Sequence, residues 1–257
     1  MTEIIGISAG RDGKVTESLV KAILEGTGKE HEFISLSGKL IRPCEACNEC
    51  VKDNRCVLED DFQQVIEKCY EARAIVFGAP NYWDHMNAKG HAFWERACFS
   101  GRHNSVFPLE GKLGVIAAVA GTGNGQPVIN DVEAYIEDAR MHLVGEISVQ
   151  GEYACFSCGY GNHCPVGGFV DMYPLGTDVQ PEIVPSLANQ HPNNLELPEE
   201  ERNRLGDARK MGETLGRVLR IGKKKLKKFT HAESERRCVS RPTARRDADS
   251  DPSAGFG

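Results

Sequence analysis

An α/β fold, a doubly wound parallel sheet of five strands in the order 2-1-3-4-5 with helices on both faces, is what the chain predicts. Three observations carry this. Short apolar runs alternate with amphipathic segments from Ile4 to Val149, the rhythm of successive βαβ units, whose right-handed crossovers leave few topologies. The run Val115 to Ala120 is apolar at every position, as a parallel strand covered on both faces requires. Glycine-bearing polar loops follow the first and fourth apolar runs, where such sheets turn from strand into helix and bind their ligands.

Taken in order, Ile4 to Ile7 reads as the first strand. The loop Ser8 to Thr16 leads into a helix with Val15, Leu19, Val20, Ile23 and Leu24 on one stripe. Glu32 to Leu36 is the second strand. Asp60-Asp61 caps a helix with Phe62, Val65, Ile66, Cys69 and Tyr70 on one face, which makes Cys69 a core thiol. Ala74 to Gly78 is the third strand and delivers the loop Ala79 to Trp83. Ala88 to Ser100 is a helix with Phe93, Trp94 and Ala97 inward. Lys112 to Ala120 is the fourth strand, followed by the loop Gly121 to Gly125. Pro127 starts a helix with Val128, Val132, Tyr135, Ile136 and Ala139 on its stripe. Leu143 to Val149 closes the sheet, and Arg202 to Leu219 is a final amphipathic helix.

Composition narrows the function classes. A chain of 257 residues, 40% hydrophobic and 26% charged, suits one generous soluble domain or one domain with appendages. A net charge of −6 offers nothing global to nucleic acid or an anionic membrane. Met1 to Ile7 has no signal-peptide pattern, and no apolar run is long enough to span a bilayer. Ten cysteines without a secretion signal read as reduced thiols serving as metal ligands in a cytoplasmic setting.

Four of those cysteines, Cys44, Cys47, Cys50 and Cys56, fall within thirteen residues. The first three repeat every third residue, as in the short runs that hold an iron–sulfur cubane. Zinc, which more often uses two separated pairs, and plain surface thiols are the competing readings. The Ser8 to Thr16 loop can cradle a phosphate with backbone amides, hydroxyls and a guanidinium, or be an ordinary βα turn. The adjacent rings Tyr82 and Trp83 can flank a flat heteroaromatic system or simply pack locally. In the predicted sheet all these loops lie on one carboxyl rim, so the cysteine run is expected beside the phosphate-type loop.

A second knot holds Cys155, Cys158, His163 and Cys164, which could satisfy zinc or a second iron site, or be a glycine-rich loop with reduced thiols. Gly167 to Pro198 reads as a lid or an oligomer-contact arm. Lys223 to Lys228 is a basic block, solvated or open to acidic partners, and disorder is expected from Thr230 on, with Cys238 incidental. His85, His91 and His103 lie near the rim without an assigned role.

On the Arg11-to-Thr16 loop, the Cys44/Cys47/Cys50/Cys56 run with Asp60-Asp61 behind it, the segment Phe77 to Trp83, Lys89 through Glu95-Arg96, and Gly123 to Gly125, the sequence resembles the iron–sulfur flavoproteins. These are a branch of the flavodoxin-like NAD(P)H-dependent FMN reductase family. The resemblance covers about residues 3 to 150, with Ala9-Gly10 standing where the family usually has a longer Gly-Ser-Pro-Arg loop. It implies FMN with its phosphate held by Ser8, Arg11 and Thr16, its ring by Pro80, Asn81, Tyr82 and Trp83 and by the loop at Gly121, and a 4Fe-4S cluster on the four cysteines. It also implies a homodimer or homotetramer in which a cluster approaches a flavin across a subunit interface. The expected layout is a flavodoxin-like FMN-binding domain over 1–150 with its cluster loop at 43–57, an extension with the final helix over 151–222, and a basic block and tail over 223–257. The expected activity is electron transfer between a ferredoxin-like donor or NAD(P)H and a small acceptor, with no proton-transferring side chain demanded. A cluster-free FMN or quinone reductase, and a thiol or metal sensor without turnover, are the alternatives.

Overall fold

The computed structural model describes residues 2–151 and 199–221. Their elements are β1 (Ile4–Ser8), α1 (Val15–Gly26), β2 (His31–Ser35), α2 (Phe62–Glu71), β3 (Ala74–Tyr82), β4 (His85–Met86), α3 (Ala88–Ser100), β5 (Leu113–Ala120), α4 (Gln126–Asp138), β6 (His142–Gln150) and α5 (Glu199–Ile221). The sheet runs β2-β1-β3-β5-β6, with the two-residue β4 attached to β3 alone. Every main pairing is parallel. Counting only those five strands recovers the expected order 2-1-3-4-5.

Register decides where a site can form. Ser8, the last residue of β1, lies beside Ser35 of β2 and Gly78 of β3. There β1 and β2 stop, while β3 and β5 stay paired through Pro80 and Val119, and β5 and β6 through Ala120 and Gln150. The overhang makes a step at the carboxyl edge, with the β1–α1 loop on the low side.

The stripes read from the sequence are the ones the helices bury. Phe62, Val65, Ile66 and Cys69 of α2, Phe93, Trp94 and Ala97 of α3, and Val128, Val132 and Ile136 of α4 join Ile5, Ile7, Ile75, Phe77, Ile116 and Ala118 in one core. Phe77 stacks on Phe93 at 5.8 Å and meets the edge of Trp94 at 5.2 Å. The thiols of Cys69 and Cys98 are pushed up to about 12 by burial, so both behave as small core hydrophobes. On the other face α1 lies against Gly6 and Gly78, where any β-carbon would collide with Leu24 or Val20.

Three expectations are corrected. The stretch after the third strand is not a loop: β3 continues to Tyr82 and folds back into β4 as a hairpin, with Tyr82 opposite His85. Trp83 and Asp84 form its turn, both with positive φ (57° and 61°), the conformation of a two-residue type I′ turn. The Asp60-Asp61 pair does not cap α2 as a unit. Asp60 Oδ1 accepts the Phe62 amide at 3.1 Å, while Asp61 Oδ2 accepts the Leu40 amide at 2.7 Å and so ties down the preceding loop. The final helix begins at Glu199 rather than Arg202.

Among the described residues no helix is long and apolar enough to cross a membrane. The group Cys155, Cys158, His163 and Cys164, the segment Gly167 to Pro198, the basic block and the tail with Cys238 lie outside the described residues.

Helices α1 and α5 touch backbone to backbone. A β-carbon on Gly212 would sit 2.0 Å from the Ile23 carbonyl oxygen, and one on Gly26 would sit 2.2 Å from that of Arg209. Neither neighbour is a side chain that can swing aside. Gly212→Ala is therefore expected to cost about 1–3 kcal/mol as overpacking despite alanine's better helix propensity. A lower urea midpoint at unchanged m-value is the readout.

Candidate functional site

The step at the carboxyl edge is braced from three sides. Ala9 N–H donates to Gly78 O at 2.8 Å, Asn87 Nδ2 donates to Ala9 O at 2.8 Å, and Gly10 N–H donates to Ser8 Oγ at 3.3 Å. A β-carbon on Gly10 would stand 2.7 Å from Thr16, so glycine lets the loop lie flat on the start of α1. Gly13 takes a positive φ of 64°, and its amide donates to Glu17 Oε2 at 2.8 Å. No side chain caps α1 at Lys14, which leaves the helix's positive end facing the loop.

A cavity opens on this loop. Gly10, Arg11, Lys14, Val15 and Thr16 form its floor, and Pro80, Asn81, Tyr82, Val119 and Gly121 form the wall. The strand overhang supplies that wall, and Asn81 Nδ2 fastens it to the glycine loop through Asn124 O at 2.8 Å. Of the residues expected to hold a phosphorylated ring, Arg11, Thr16, Pro80, Asn81, Tyr82 and Gly121 line this cavity together. Ser8 lies behind it, fully buried, with its hydroxyl engaged by Gly10. Trp83 projects from the hairpin tip, 96% exposed, beyond the cavity lining. Gly10, Lys14, Val15 and Val119 also line it without having been expected individually as cofactor ligands, although the first three fall in the Ser8 to Thr16 loop. Val119 reads only as core.

The four cysteines of the 44–56 run line one cavity with Arg96, Phe99 and Ser100 of α3. Ala46, Asn48 and Asn54 hold left-handed backbone (φ 51°, 60° and 59°), so the chain turns tightly between the cysteines. Cys50 is buried, Cys44 and Cys56 half-buried, and Cys47 exposed. Burial raises the Cys50 pKa; a backbone hydrogen bond opposes that, and Cys56, Cys44 and Cys47 add to the rise. All four sulfurs thus share one electrostatic neighbourhood. Among the described residues no three His, Cys, Asp or Glu side chains close to the spacing of a single metal ion. His103, read from the sequence as a rim histidine without a role, has its Nε2 3.3 Å from Cys50 Sγ.

Beneath this cavity sits an ion pair removed from solvent. Arg96 Nη1 meets Asp60 Oδ2 at 2.5 Å, with side chains 1% and 0% exposed. The same guanidinium donates to Arg42 O at 3.1 Å and, more weakly, to Leu58 O at 3.5 Å, and lies 4.1 Å over the Phe62 ring. Asp60 Oδ2 also accepts the Arg42 amide at 2.8 Å. Burial alone would raise the Asp60 pKa; Arg96 and the Arg42 and Phe62 amides outweigh it and hold the carboxyl below its ordinary 3.8.

The two cavities are not neighbours on one rim, contrary to expectation. The chain leaves β2 at the rim, where Lys89 Nζ holds Leu36 O and Lys39 O at 3.0 and 2.8 Å. It then descends along α3: the Cys44 amide meets Glu95 Oε2 at 3.1 Å, and Asn104 Nδ2 meets Val51 O at 2.7 Å beyond the helix end. From Asn87, beside the first cavity, to Phe99, lining the second, is about 18 Å at 1.5 Å per helical residue. A loop of this length need not stay at the edge where it starts.

The sequence pattern of the family described as NADPH-dependent FMN reductase matches residues 2–153. An iron-sulfur flavoprotein of Methanosarcina thermophila is 31% identical over 152 residues, which is 57% of this chain and 78% of the relative. Another from Methanocaldococcus jannaschii is 30% identical over 158 residues, 59% of this chain and 80% of its own. Among solved structures, a flavone reductase superposes with a TM-score of 0.52 at 15% identity, over 84% of this chain and 62% of its own. RosB with a bound 8-demethyl-8-formylriboflavin-5'-phosphate intermediate gives 0.56 at 14% identity, over 100% and 95%. At such identities the structural likeness concerns the fold.

The ion pair has a pH signature. The folded carboxyl of Asp60 is depressed, so on acidification the unfolded chain binds its proton first. The stabilisation is whole above the ordinary carboxylate value and is lost as pH falls from there through the depressed folded value. Urea midpoints measured from pH 7 to pH 3 should drop along an acid limb, and Asp60→Asn should start lower at pH 7 and show a flatter limb.

Proposed function

Because the chain belongs to the NADPH-dependent FMN reductase family, on its iron–sulfur flavoprotein branch, and is thereby a flavin-dependent oxidoreductase, we propose that it couples FMN to a 4Fe-4S cluster. In this reading it moves electrons between a ferredoxin-like donor or NAD(P)H and a small acceptor. The observation that carries the reading is the convergence of Cys44, Cys47, Cys50 and Cys56 on one cavity.

The residues present fit both groups. At the sheet edge, Arg11, Thr16 and the uncapped end of α1 suit a phosphate. Pro80, Asn81 and Tyr82 suit the flat ring, with Gly121 below them and Ser8 bracing the loop. Trp83, exposed at the hairpin tip outside this lining, would reach a ring only from beyond the cavity. At the other cavity, four thiols on one lining supply the ligand type and number that a cubane takes. The bound flavin supplies two-electron and one-electron chemistry, and the cluster moves electrons singly. The chain's part is to hold each group, exclude water from one side of it, and set its electrostatic surroundings. Because α3 separates the cavities, a homodimer or homotetramer that brings one copy's cluster to another's flavin is the favoured assembly.

Anaerobically reconstituted protein is expected to carry about four iron and four sulfide per chain with broad visible absorption. Replacing any one of the four cysteines by serine should lower both. Protein that binds FMN but takes up no iron would remove the cluster from this reading. Arg11→Ala should weaken FMN binding about tenfold to a hundredfold, the worth of one charge-assisted hydrogen bond, as measured by flavin fluorescence titration. Unchanged affinity would remove Arg11 from the phosphate site.

A further inference from the structure

Between β2 and α2 the chain runs through 26 residues whose one regular piece is the 3-10 turn Glu49–Val51. So long a loop has much conformational entropy to lose, and all four sulfurs of interest lie in it. Its closure is concentrated at a neck. Arg42 stands two residues before Cys44 and Leu58 two residues after Cys56, and both carbonyls accept from the one guanidinium of Arg96. Asp60 completes the neck by accepting the amides of Arg42 and Phe62. We propose that Arg96 is the positioning residue of the cysteine cavity: it clasps both flanks of the run, gathers the thiols before any iron arrives, and sets a fixed positive charge under the cluster.

Two further observations separate this from a plain structural staple. An ion pair this deeply buried recovers little of its desolvation cost, so stability alone is a weak reason for a charge at the neck. Yet Arg96 also lines the thiol cavity itself, and its Nε is buried without a hydrogen-bond partner among the described residues. Iron held by four thiolates concentrates negative charge there, and a desolvated guanidinium is the complementary partner. Lysine supplies the charge but lacks the planar fork that spans two carbonyls. The inference rests on the proposed function, since the charge has a purpose only if the cavity is loaded.

The test uses the full chain carrying FMN, with Arg96→Lys and Arg96→Met. FMN content is the folding control, because the flavin cavity shares no residue with this one. Iron retention against a chelator is expected to fall about 10–100-fold in Arg96→Met, as for other outer-shell partners of metal ligands, and less in Arg96→Lys. The cluster midpoint potential should move to lower values in Arg96→Met and stay near the wild-type value in Arg96→Lys, which a purely mechanical role would not produce. A folded Arg96→Met protein with wild-type iron retention and potential overturns the proposal. If Arg96→Met fails to bind FMN, Arg96→Lys and Asp60→Asn decide on iron retention: losses support the clasp and wild-type retention overturns it. Wild-type protein that takes up no iron would refute the proposed cluster instead. In that case maleimide labelling of metal-free protein still tests the clasp, with faster labelling of Cys44 to Cys56 in the variants supporting it and equal rates overturning it.

Discussion

The molecule depends on the point where β1 ends and β3 runs on. Ala9 leaves the sheet still bonded to Gly78, and Asn87 reaches across to hold its carbonyl. That arrangement starts α1 beside an overhanging ledge, so a polar floor and a flat wall face each other. Had β1 and β3 ended level, the same loop would be an ordinary turn in solvent. The step exists because β3 pairs with β5 for two residues beyond Gly78.

Helix α3 links that ledge to the cysteine cavity. Its start is pinned by Asn87 and Lys89 at the ledge and the root of the cysteine loop, and its last turns supply Arg96, Phe99 and Ser100 to the thiol cavity. Phe93 and Trp94 bury its inner face against Phe77, so the helix cannot shift without breaking the core. Its length therefore sets the separation of the two cavities.

Helix boundaries and core stripes were legible because burial imposes a 3.6-residue period that survives in the sequence. The site residues were legible in groups: the Arg11 loop and the Pro80 segment line one cavity, and the cysteine run lines the other. The β3–β4 hairpin was not, because Trp83-Asp84 is not among the dipeptides that favour a type I′ turn. The course of the cysteine loop was hidden for a different reason. It is set by contacts such as Arg96 with Asp60 and Asn104 with Val51, 36 and 53 residues apart, which no local pattern encodes. The α1–α5 contact had a faint signal in Gly212 and Gly216, one helical turn apart, whose β-carbons would strike the carbonyls of Ile23 and Thr27.

The chain's two tryptophans stand in opposite surroundings. Trp94 is fully buried among Phe77, Phe93 and Tyr135, whereas Trp83 stands in water at the tip of the ledge. The protein therefore carries its own pair of optical reporters: a blue emitter sensing the integrity of the interior, and a red, quencher-accessible one sensing traffic at the rim. Substituting Phe for either would let each be heard alone.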